Sequence, residues 1–118
     1  MNYPWLDEYC MAKKSAAKDF KAEWDAARYM VGGKMFAMAG SHSNGRPIIS
    51  VKLLPEEGDF LRRQYEDVIA GYYMNKVHWN SVYLDGTVPD DVLKDMIDKS
   101  YAILFASLTQ KAQKEIMG

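Results

Sequence analysis

The sequence is short of the residues that most often announce a chemistry. It has a single cysteine, Cys10, so no disulfide can close within the chain and a reducing compartment would leave it unaffected. Its two histidines, His42 and His78, have no His or Cys partner at metal-ligand spacing, which gives a zinc-type site nothing to build on. There is no Gly-x-Ser-x-Gly elbow and no phosphate-cradling glycine loop before a helix. No apolar run approaches the roughly 20 residues of a membrane-spanning helix. The opening MNYPWLDEY also lacks the basic and then apolar order of a signal peptide, so a cytoplasmic protein is expected. Nor is there a surplus of one charge: 15 Lys and Arg stand against 16 Asp and Glu, whereas strong general polyanion binders carry a marked basic excess.

What is present suffices for one globular domain. With 118 residues, 48% of them hydrophobic and 26% charged, the chain can build one modest core over residues 1–118 and has no room for a second. Residues 28–80 are mildly basic and residues 81–118 mildly acidic, which permits an anionic ligand without pointing to one.

From the N-terminus, Pro4 suits the first position of a helix, with Asp7 and Glu8 facing the positive end of its dipole. Leu6, Tyr9, Cys10 and Lys13 recur at helical spacing, which makes Cys10 a small packed apolar residue. Residues 15–18 read as a loop or a frayed helix end. Strands over 25–31 and 34–39 bracket Gly32-Gly33, a pair suited to a two-residue hairpin turn of positive φ. A longer turn containing Asn44-Gly45 leads to a third strand over 48–53. There Ile49, Val51 and Leu53 alternate with Ser50 and Lys52, so one face is expected apolar and the other wet.

Pro55-Glu56-Glu57 opens a second helix, for which Phe60, Leu61, Tyr65 and Val68 supply a buried stripe and Arg62 and Arg63 lie on or near the exposed side. Strands follow over 68–70 and 81–84, with Asp85-Gly86 turning the chain. After Pro89, Leu93, Met96, Ile97, Tyr101, Leu104 and Leu108 form one stripe on the longest helix, expected to lie across the sheet. Thr109 recaps a final turn or two to Ile116. The order helix, three strands, helix, two strands, helix is that of an α+β domain with an antiparallel sheet and the long C-terminal helix packed across it.

The densest chemistry sits in residues 71–82, GYYMNKVHWNSV. An extended chain here would put Lys76, His78 and Asn80 on one side and Val77, Trp79 and Ser81 on the other. In one reading Val77 and Trp79 fill the core, the polar triplet is solvated, and Asn75 or Asn80 ties down a turn. In the other, Lys76, His78 and Asn80 form a donor-rich strip flanked by Tyr72 and Tyr73, able to meet a phosphate or a base, with Lys34, Arg62 and Arg63 as further anion-binding candidates. General-base catalysis by His78 would need a nucleophile and an orienting partner, and no such grouping is legible. No cofactor is implied.

Together with GGKMFA at residues 32–37 and VPDDVLKDMIDKSY at residues 88–101, this segment resembles the MmcQ/YjbR family of small bacterial domains, over most of the chain. The resemblance implies a fold similar to the type III secretion chaperones, one also likened to a double-wing DNA-binding arrangement. It therefore implies a non-catalytic DNA-binding or DNA-associated module. The chaperone-like fold equally implies the alternative, a protein-interaction or self-association module working through a sheet edge or the aromatic segment. A small-ligand binder or enzyme using His78 is the third class.

Overall fold

The computed structural model of the chain describes residues 1–71 and 75–118. Along it run helix α1 (Leu6–Met11), strand β1 (Ala17–Lys21), a short 3-10 turn (Ala22–Trp24), β2 (Ala26–Val31), β3 (Lys34–Ser41), β4 (Pro47–Lys52), helix α2 (Pro55–Gln64), β5 (Val68–Ala70), β6 (Trp79–Tyr83), and helices α3 (Asp90–Ala106) and α4 (Gln110–Met117). The strands form one antiparallel sheet in the order β1-β2-β3-β4-β6-β5. The α+β antiparallel architecture expected from the sequence is the one observed.

Local chemistry accounts for most of these boundaries. Gly32 and Gly33 both take positive φ, +56° and +79°, as a tight right-twisting hairpin turn between β2 and β3 requires. Pro55 begins α2 after an extended Leu54, and Pro89 is the extended residue from which α3 starts. Thr109 caps α4 by accepting the Ala112 amide through its hydroxyl.

The addition to the expected order is β1. Residues 17–21 pair with β2 from Ala17 opposite Met30 to Lys21 opposite Ala26, although all but Lys21 are exposed. An edge strand that buries no side chain has no apolar alternation to betray it, and its lysines and aspartate are of the kind that discourage further strand addition.

The core lies on the face of the sheet that carries Tyr29, Val31, Ala37, Ile49, Val51 and Val82, against Leu6 and Cys10 of α1 and Leu93, Met96, Ile97 and Leu104 of α3. Leu61 and Tyr65 add the α2 side, and Ala112 and Ile116 bring α4 onto the same cluster. The stripe expected on α3 is thus the central buried surface of the molecule. Ser100 within it donates to the Phe36 carbonyl at 2.6 Å and accepts the Lys52 amide at 2.9 Å, which fastens α3 across β3 and β4.

Two expectations about burial are corrected. The second face of β4 is not wet: Ile48 and Ser50 are fully buried, and Ser50 shares a 2.6 Å hydrogen bond with Ser81 of β6. A hydroxyl pair between neighbouring strands satisfies both partners without water, so alternating polarity misstates this face. On α2 the expected stripe holds in part: Leu61 and Tyr65 pack against the core and Val68 is buried, though within β5, whereas Phe60 is 62% exposed.

Candidate functional site

The chain between Asn75 and Trp79 is a turn, not an extended strip. The Trp79 amide donates to the Asn75 carbonyl at 2.9 Å, and the Asn75 side chain accepts the Val77 amide at 2.9 Å. The asparagine-anchored turn was legible in the sequence; the shared polar face of Lys76, His78 and Asn80 is corrected. Lys76 is exposed at the turn, His78 is half-buried beside it, and Asn80 is fully buried in β6, where it accepts a hydrogen bond from the Arg62 guanidinium of α2. Asn80 stands opposite Val51 in the register, on the helix-bearing face, whereas Trp79 stands opposite Lys52 on the other. Val77, expected in the core, is 56% exposed because the turn directs it outward. Trp79 is half-buried and lies outside the main core. Tyr72 and Tyr73 lie outside the described residues.

The remaining basic candidates, Lys34, Arg62 and Arg63, and the other cations of residues 28–80 do not converge on one surface. Arg28 sits on β2, across from Met38 and Ser50, and forms a two-pronged ion pair with Asp19 of β1 at 2.7 and 2.6 Å; that pairing holds the Asp19 carboxyl below its usual range. Lys52 shares that face through β4. Arg62 and Arg63 belong to α2 on the opposite side, the first engaged by Asn80 and the second by Asp59 at 3.0 Å. Lys34, at the β2–β3 turn, reaches the Ser107 carbonyl at 3.4 Å. Arg46 lies over the Tyr83 ring, 3.6 Å from its centroid, and pairs with Asp85 at 2.8 Å, so its charge is also spoken for. Cys10 is fully buried in the core, and burial pushes its thiol up to about 12, the condition of a packed rather than reactive cysteine.

Among the described residues the structure offers a groove between α2 and α3 of about 520 Å³. Leu61, Tyr65 and Val92 give it an apolar lining, and Phe60 stands exposed at its side. Glu56 and Glu57 contribute carboxylates from α2, and Asp91 and Asp95 from α3. Its one cation, Lys99, bridges the two helices, 2.6 Å from Glu57 and 3.1 Å from Asp95; the Glu57 carboxylate is the main reason the lysine's pKa is raised.

None of these groove residues was singled out as a site in the sequence. The acids of Pro55-Glu56-Glu57 and of the first turn of α3 look like ordinary helix-start residues, and Phe60 looks like core. A signal existed in the pairing of a mildly acidic last third with an aromatic on a helix whose other faces are charged, but only the placement of α2 beside α3 brings the two together.

The sequence profile of the YjbR family matches residues 11–103 of the chain. The Escherichia coli K12 protein YjbR, described as uncharacterized, is 38% identical over 109 residues, covering 92% of each chain. The uncharacterized protein YbdF of Escherichia coli O157:H7 is 33% identical over 97 residues, 82% of this chain and 77% of its own. Among solved structures, Deinococcus radiodurans protein DR2400 superposes with a TM-score of 0.85 at 28% identity, over 95% of this chain and 85% of that one. A Pseudomonas syringae protein shares the fold with a TM-score of 0.73 at 24% identity, over 87% and 98% of the two chains. The family suggested by the central segment, the double-glycine hairpin and the long helix is thereby established: this chain belongs to the YjbR family.

Proposed function

We propose that the domain is a non-catalytic interaction module that docks a partner protein in the groove between α2 and α3. The observation that carries this reading is Phe60, 62% exposed beside an apolar trough of about 520 Å³. A large aromatic held in water next to further apolar surface is the usual mark of a contact site. A reducing, cytoplasmic setting suits a chain whose one cysteine is packed in the core.

A DNA-binding role would rest on Lys76, His78, Lys34, Arg62 and Arg63, yet these occupy a turn, a hairpin tip and a helix on different sides, and both arginines are engaged within the chain. Duplex binding is expected to show the shallow salt dependence of one or two phosphate contacts, each giving a log-log slope of about −0.9. A slope several times steeper at moderate salt would restore the DNA reading.

The docking reading is tested with a photo-crosslinking residue in place of Phe60, compared with the same residue in place of the exposed Lys111 on α4. Discrete protein adducts from position 60 that are absent from position 111 are expected. Identical adducts from both positions, or none from position 60, would remove the groove as a docking site.

A further inference from the structure

We infer that the partner segment taken by the α2–α3 groove is a basic amphipathic helix, an inference that rests on the docking reading above. The charge of the groove is the first argument. Four carboxylates, Glu56, Glu57, Asp91 and Asp95, face a single lysine, and that lysine is already held by Glu57 and Asp95. Glu56 and Asp91 are exposed and have no ion-pair partner among the described residues. The occupant therefore carries cations to set against them, and an anionic surface such as a phosphate backbone or an acidic lipid is repelled.

The second argument is shape. Apart from Tyr65, which caps α2, the lining comes from the two helices, and among the described residues no strand edge lines the trough, so an extended peptide would gain no main-chain ladder there. A helix carries its own backbone hydrogen bonds and presents apolar side chains at i, i+3 or i+4, and i+7 to a groove of this kind. From Asp91 to Lys99 the α3 wall rises about 12 Å, room for roughly two turns of such a helix. Apolar anchors then meet Phe60, Leu61 and Val92 while lysines or arginines on its flanks meet Glu56 and Asp91.

The test uses three 18-residue peptides: leucine and lysine arranged to give one apolar helical face, the same peptide with every lysine replaced by glutamate, and a scrambled leucine–lysine peptide without an apolar face. Each is titrated into the full chain, with affinity read by fluorescence anisotropy and location by amide NMR shifts. The first peptide is expected to shift amides of α2 and α3 and to bind at least tenfold more tightly than the other two. In a Glu56→Lys/Asp91→Lys variant the glutamate peptide is expected to become the better ligand. Equal binding of the scrambled peptide, or shifts confined to other surfaces, would overturn the inference by showing charge attraction alone. Preference for the glutamate peptide would overturn the partner's charge and leave the groove as a docking site. No shift in α2 or α3 with any peptide would overturn both readings. A concentration-dependent dimer abolished by Phe60→Ser would assign the groove to a second copy of the chain and overturn the basic helix.

Discussion

Gly58 of α2 lies directly over Asn80 of β6: a methyl group on Gly58 would come within 2.8 Å of the Asn80 amide nitrogen and 3.0 Å of the Arg62 guanidinium. The glycine is what lets α2 sit close enough to the sheet for Arg62 to reach a fully buried asparagine. In an exposed helix, Gly→Ala gains up to about 1 kcal/mol. Here the clash falls on a side chain with nowhere to move, and overpacking typically costs about 1–3 kcal/mol. Gly58→Ala is expected to lower the melting temperature by several degrees. A rise would mean that Asn80 and Arg62 yield freely and that the contact is not tight.

Trp79 and Leu93 separate what looks like core from what is core. Leu93 is fully buried under α3 in the main cluster, so Leu93→Ala is expected to cost about 2–5 kcal/mol. Trp79 is half-buried on the opposite face, and Trp79→Ala is expected to cost about 1–2 kcal/mol, below the roughly 3–5 kcal/mol of a fully buried ring. Urea unfolding of the two variants checks the order, and a costlier Trp79→Ala would contradict the burial seen.

Alkali should weaken the fold in a defined window. Burial raises the Cys10 thiol and the Tyr9 phenol, each to about 12, from ordinary values of 9.0 and 10.0, and burial raises Tyr3 and Tyr29 as well. These groups lose their protons in the unfolded chain first, so the unfolded state binds fewer protons and stability falls with pH. The contribution is complete below about pH 9 and is lost as pH rises toward 12. Equilibrium unfolding at pH 8, 9.5 and 11 is expected to show a progressive decline, and a flat profile would show that these groups ionise alike in both states.

Cys10 should report on global unfolding. Fully buried between α1 and the sheet, it is expected to react with a thiol reagent at pH 8 only as fast as the protein opens, so labelling should accelerate with urea. Immediate reaction of the native protein would place the thiol at the surface.

Much of the architecture was legible because local chemistry and packing agree on it. The Gly32-Gly33 hairpin, the proline starts of α2 and α3, the Thr109 cap and the Leu93 to Leu104 stripe each follow from a residue whose conformational or apolar preference the fold satisfies. Strand β1 was invisible because an edge strand is specified by its neighbour's free hydrogen-bonding groups rather than by its own side chains.

Polar residues were where sequence reasoning failed, since a side chain's polarity does not say whether water or a partner satisfies it. Asn80 and Ser50 look solvated until Arg62 and Ser81 are brought to them from other elements. The converse holds for Phe60, whose hydrophobicity places it inside and whose position on α2 places it outside. By itself the sequence determined the family, the α+β class and the helix-start chemistry, all consequences of short-range patterns. The tertiary structure alone decided that the basic residues are dispersed and that the acids of two helices separated by residues 65–89 line one apolar groove, because charge and shape complementarity are properties of surfaces, and a surface exists only once distant elements pack.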